Sequence, residues 1–103
     1  MNKVLADAIA TYGTKSQEDK VIEECSELIK AILKLRYNEE DYKIPILKDA
    51  IAEEMADVEI MLEQMKMIHD NRELVESQKA KKIERLERRL KKKHEMREKN
   101  EEN

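Results

Sequence analysis

The sequence predicts an all-α protein, a helical bundle of about four helices. Three observations point there. Strands draw on β-branched and aromatic residues and turns on Gly and Pro, yet this chain has three Tyr, no Phe or Trp, one Gly and one Pro. Glu, Lys, Leu, Ile, Ala and Met, the stuff of helices, are plentiful instead. Apolar residues recur at helical spacing through most of the chain. The near absence of glycine also excludes a Rossmann unit, a P-loop enzyme and a β-sandwich. At 103 residues, 44% of them charged, the chain is one domain with a modest core, and it would gain from pairing with a second copy.

The elements follow in order. Val4, Leu5, Ala8, Ile9 and Tyr12 mark a first helix over about 3–12, stopped by Gly13. Ser16 followed by Asp19 reads as an N-cap with an acid at N3. It opens a second helix over about 16–37 with the stripe Val21, Ile22, Cys25, Leu28, Ile29, Ile32 and Leu33. Residues 38–45 are polar and end in the only proline, so they read as a loop. A third helix over about 46–69 carries Leu47, Ala50, Ile51, Met55, Val58, Met61, Leu62, Met65 and Ile68, and Asp70 and Asn71 break it. A fourth spans about 72–97 on a thin seam of Leu74, Ile83, Leu86 and Leu90. Residues 1–97 thus form one helical domain, and residues 98–103 read as a disordered polar tail.

Charge is unevenly spread. Residues 1–78 hold 18 acids and 10 bases, net −8, whereas residues 79–103 hold 11 bases and 6 acids, net +5. A lone cysteine makes neither an internal disulfide nor a zinc site. With no signal-peptide pattern and no long apolar run, the expected setting is the cytoplasm, with no membrane partner.

Two acidic clusters stand out, Glu23, Glu24 and Glu27 on the second helix and Glu53, Glu54 and Asp57 on the third. An i, i+3 spacing puts two carboxylates on one side of a helix, but in a chain with 24 acids such pairs also arise by chance on solvated faces. Position is more telling. At about 100° per residue Glu54 falls inside the apolar stripe of its helix, Asp57 at its edge and Glu24 at the rim of the other stripe, with Glu27 further round. A carboxylate on a core-facing stripe must be paired, protonated or bound to a cation. Four from adjacent helices suit Mg²⁺ or Mn²⁺, since no His or Cys is offered with them. The rival for Glu54 is a buried ion pair with Lys or Arg of the fourth helix.

The order Glu24-x-x-Glu27, a gap of 26 residues, then Glu54-x-x-Asp57 resembles the MazG-like all-α nucleoside triphosphate pyrophosphohydrolases. The surrounding residues are similar too: Tyr12-Gly13 leading to Gln17, Glu23-Glu24-Cys25-Ser26-Glu27-Leu28, and Glu54-Met55-Ala56-Asp57-Val58. The likeness is to the small phage and Gram-positive type and covers about residues 8–90. The resemblance implies Mg²⁺ held by Glu24, Glu27, Glu54 and Asp57. It also implies cleavage of (deoxy)nucleoside triphosphates between the α and β phosphates, by homodimers or homotetramers built around a four-helix core. It makes Gln17 a possible substrate contact, with capping as the plain alternative. Glu23, on another azimuth, is a candidate to orient or deprotonate the water, or a surface residue. No Ser/His/Asp or Cys/His constellation offers another chemistry.

A triphosphate needs more positive charge than one metal supplies. Lys82 and Arg85, i, i+3 on the basic helix, resemble a family Lys-x-x-Arg stretch and are candidate phosphate contacts. Pairing with Glu84 and Glu87 is the alternative. Nucleic-acid binding is disfavoured, because acids interleave with bases and no aromatic is there to stack on a base. A non-catalytic helical interaction module on the same scaffold remains the alternative function, though Ile83, Leu86 and Leu90 give about one clear heptad. Cys25 and the Met55, Met61, Met65 and Met67 set read as core, with some methionines free to line a base pocket. His69 reads as a packed or helix-terminal residue, and Tyr12 and Tyr42 as stacking or interface residues.

Overall fold

The computed structural model describes residues 2–102. They form four α-helices, α1 (Asn2–Tyr12), α2 (Thr14–Arg36), α3 (Ile44–His69) and α4 (Arg72–Glu102), with a 3₁₀ turn at Asp41–Lys43 and no strand. The all-α bundle expected from composition is what the chain adopts.

One residue separates α1 from α2. Gly13 sits at φ 92°, ψ 152°, a region that only glycine enters without strain. Its N–H donates to Ile9 (2.9 Å) and its carbonyl accepts from the Gln17 N–H (3.1 Å), so it closes one helix and opens the next. The expected cap at Ser16 is therefore not used. The helix starts at Thr14 with no side-chain cap, because the Gly13 carbonyl begins the ladder earlier.

At the far end of α2, the N–H groups of Tyr37 and Asn38 donate to Leu33 and Leu35 at 3.0 and 3.2 Å. Pro45 lies in the first turn of α3 rather than closing a loop. Its missing N–H costs nothing there and its fixed φ suits the helix. Asp70, left-handed at φ 47°, ends α3.

α2 and α3 form an antiparallel hairpin, with Glu18 near the start of α2 reaching His69 at the end of α3 (3.8 Å). The shielded positions of α2 include Gln17, Val21, Glu24, Leu28, Ala31 and Leu35. Those of α3 include Leu47, Ile51, Glu54, Val58, Met61 and Met65. Both sets step by alternating threes and fours, the spacing that keeps one seam turned to a neighbouring helix. Two seam positions are glutamates. α1 packs on both helices and buries Leu5.

The apolar core is small. Among the described residues Leu5, Ala31 and Met61 are the buried hydrophobic side chains, and Gln17 and Gln64 are buried with them.

The chain divides into two compact units, Met1–Asp70 and Asn71–Asn103. α4, the helix of the second, is exposed from residue 76 to residue 101. It runs on to Glu102, past the point where a tail was expected. No Gly or Pro interrupts residues 98–102, and Glu95 with Lys99 and Arg97 with Glu101 set opposite charges at i, i+4. Asn103 lies outside the described residues. No helix among those described is long and apolar enough to cross a membrane.

Candidate metal centre

The hairpin register brings a seam acid of α2 against a seam acid of α3. Glu24, Glu54 and Asp57 each offer a carboxylate oxygen, and these oxygens all lie within 4.8 Å of one another. Asp57 is one turn beyond Glu54 and open to solvent, whereas Glu24 and Glu54 are half-buried.

Glu54 is the least satisfied of the three. Its Oε2 is shielded from solvent and has no hydrogen-bond partner. Loss of solvent is the main force pushing its carboxyl above the ordinary glutamate range. The negative charges of Glu24, Asp57 and Glu27 add to it, as does the capacity of Glu24 to share its proton. A carboxylate so placed is relieved by a proton or by a cation. With oxygen as the sole donor, and three donors converging, the arrangement suits a hard divalent ion.

The fourth expected ligand stands apart. Glu27 is engaged by Lys30 on its own helix at 3.4 Å and is not in the group of converging oxygens. Its charge still reaches Glu54. The reason is local: Lys30 lies one turn away and captures the carboxylate at the surface.

The cation that the trio does meet is Lys20, which the sequence reading passed over. Its Nζ lies 3.3 Å from Glu24 and 3.9 Å from Glu23. Its ammonium is held above the usual lysine range, first by the hydrogen bond to Glu24, then by the charges of Glu23 and Glu24, with a further contribution from Asp57. The i, i+4 spacing of Lys20 and Glu24 was the available signal. The ion pair considered between Glu54 and a base of α4 thus has a counterpart in Lys20, which lies on α2, is half exposed and is directed at Glu24.

The other candidates fall as follows. Glu23 is exposed at the rim, sharing Lys20, and its backbone carbonyl accepts from Ser26 Oγ at 2.7 Å. Gln17 is buried two turns before Glu24, and it does not cap its helix. Lys82 and Arg85 are exposed, one turn apart on α4. Cys25 is free and half-buried, and Met61 is core while Met55 is exposed. His69 ends α3 beside Glu18. Tyr12 and Tyr42 are exposed, the Tyr42 ring lying 5.8 Å under Lys43 Nζ.

No protein-family model matches the chain, and neither does any curated protein or solved structure.

Proposed function

We propose that this protein is a Mg²⁺-dependent nucleoside triphosphate pyrophosphohydrolase. It would turn a (deoxy)nucleoside triphosphate and water into the monophosphate and pyrophosphate, and so keep the cytoplasmic nucleotide pool in order. The observation that carries the reading is the orphaned Glu54 oxygen inside a group of three converging carboxylates on facing helices. The likeness of the two acidic motifs to the MazG-like family supplies the reaction.

Glu24, Glu54 and Asp57 would hold Mg²⁺, with Mn²⁺ an acceptable substitute, and Glu27, whose charge reaches Glu54, would join them on turning from Lys30. The ion, when bound, supplies neutralisation of phosphate charge and acidification of water. The chain supplies the rest. The seam fixes Glu24 and Glu54 on two rigid helices, so the ligand set is preorganised. Glu23, exposed at the rim, is the carboxylate suited to take the proton of the attacking water as its oxygen bonds to phosphorus and the α–β phosphoanhydride breaks. Lys82 and Arg85 are the candidate phosphate contacts, and the protein would act as a homodimer or homotetramer.

A second reading, a non-catalytic interaction module, is favoured by the exposed apolar residues Ile22, Ile29 and Leu33. One experiment separates the two. Pyrophosphate release is measured over a panel of NTPs and dNTPs with Mg²⁺, beside Glu54→Gln. Equal yields of monophosphate and pyrophosphate are expected. Glu54→Gln should keep its helical signal and lose at least about a hundredfold in rate, since even the outer partners of metal ligands cost tenfold to a hundredfold. A folded parent that releases nothing from any nucleotide overturns the enzymatic reading.

A further inference from the structure

We propose that Lys20 is a displaceable internal counter-ion, an ammonium that neutralises the carboxylate trio at Glu24, yields that place to a divalent ion, and then receives a phosphate oxygen of the substrate. This rests on the pyrophosphohydrolase reading.

The geometry is specific to this lysine. Lys20 lies one turn before Glu24 on α2, with Nζ at 3.3 Å from Glu24 and 3.9 Å from Glu23. Two other lysines of the hairpin are engaged elsewhere, Lys30 by Glu27 and Lys66 by Glu63. Its side chain is 49% exposed, whereas that of Glu24 is 12% exposed. The lysine is therefore free to swing outward while the carboxylate stays fixed in the seam. Four rotatable bonds let the ammonium move without moving the helix.

Charge counting gives the consequence. With the three acids ionised, Lys20 offsets one of their charges and a divalent cation two, while Glu23 and Glu27 add further negative charge nearby. Without the lysine, the loaded centre is more negative by one charge and repels a polyanionic substrate more strongly. Lys20 therefore acts on the two ligands in opposite directions. It competes with the metal for Glu24, and it favours the triphosphate. A purely structural ion pair would also compete with the metal, but it would not favour the triphosphate.

The test uses the full chain with Lys20→Met and Lys20→Arg. Binding of Mg²⁺ alone is measured by titration calorimetry, and nucleotide turnover by pyrophosphate release. Lys20→Met should bind Mg²⁺ about threefold tighter, the change expected when an exposed ion-pair competitor is removed. Its KM for the nucleotide should rise about tenfold, as a charge-assisted phosphate contact is lost. Lys20→Arg should stay near the parent in both. Thermal melts should stay close to the parent's, because the Lys20 end of the pair is half exposed. If the parent binds Mg²⁺ and hydrolyses nucleotide but Lys20→Met binds Mg²⁺ no tighter, or shows an unchanged KM, the role of Lys20 is overturned and the reaction stands. If the parent neither binds Mg²⁺ nor hydrolyses any nucleotide, both fall together.

Discussion

Glu54 occupies a seam position that an aliphatic side chain would fill in a purely structural hairpin. Its carboxyl holds a proton more tightly in the folded chain than in the unfolded one, mainly because solvent is withdrawn from it. The folded state therefore binds more protons than the unfolded state once pH exceeds the ordinary value near 4.5. Across that window, this residue lowers stability as pH rises. In EDTA, Glu54→Gln should melt above the parent at neutral pH, and the gap should close as pH falls below the ordinary glutamate value. A gap that does not change with pH would show that Glu54 is not under this stress. The placement of Glu54 was legible in the sequence because a helical-wheel position needs no knowledge of the partner. The ion pairs of Glu27 and Lys20 were not legible, for the opposite reason. Lys20 has two acids a turn away, Glu23 and Glu24, and Glu27 has one base, Lys30; spacing offers these pairs, and side-chain geometry decides which of them form.

Gly13 decides where two helices meet. With φ 92° and ψ 152° it turns the chain in a single residue, and there is open space where a Cβ would stand. The penalty for any other residue is thus backbone strain rather than collision. Gly13→Ala should cost about 1–3 kcal/mol, read as a lower midpoint in urea at unchanged helical content. A midpoint equal to the parent's would mean that the α1–α2 junction relaxes freely. That glycine was a visible stop signal, and the four helices were visible as periodic stripes. The errors fall at the ends. A backbone carbonyl started α2 before Ser16, Pro45 opened α3 instead of ending a loop, and nothing in residues 98–102 stops α4. Periodicity reports faces and leaves ends to local hydrogen bonds. The continuous α4 also changes the meaning of its charge. Acids and bases alternate along the chain, yet on a helix Glu73, Glu76, Glu84, Glu87, Glu95, Glu98 and Glu101 share a sector of about 120°. Of the bases, Lys91 alone falls well inside that sector, while Lys81, Lys82, Arg85, Arg88, Arg89 and Lys92 lie around the rest. What still argues against nucleic-acid binding is the absence of aromatics, not interleaving.

For the whole molecule the outstanding quantity is uncovered apolar surface. The stripe read from α2 is wider than the seam that α3 covers. Glu24, Leu28 and Ala31 face inward, while Ile22 (69% exposed), Ile29 (59%) and Leu33 (42%) line the opposite flank. These three recur at intervals of seven and four, a second seam with the spacing of a helix–helix contact. A chain with so few buried hydrophobic side chains would gain stabilisation by covering that seam. The reading of a homodimer or homotetramer puts a second copy there, where each Ile29 would be buried once per subunit. A buried isoleucine is worth about 1.5–3 kcal/mol, so losing it from both sides of a symmetric contact weakens association roughly a hundredfold or more. Ile29→Glu should therefore sediment near the 12.2 kDa monomer at concentrations where the parent sediments as a multiple of that mass. The same variant should retain Mg²⁺ binding, because the carboxylate trio lies on the other side of α2. A parent that sediments as a monomer at every concentration would leave the Ile22–Ile29–Leu33 seam without a second copy, and with it the view that oligomerisation completes the core.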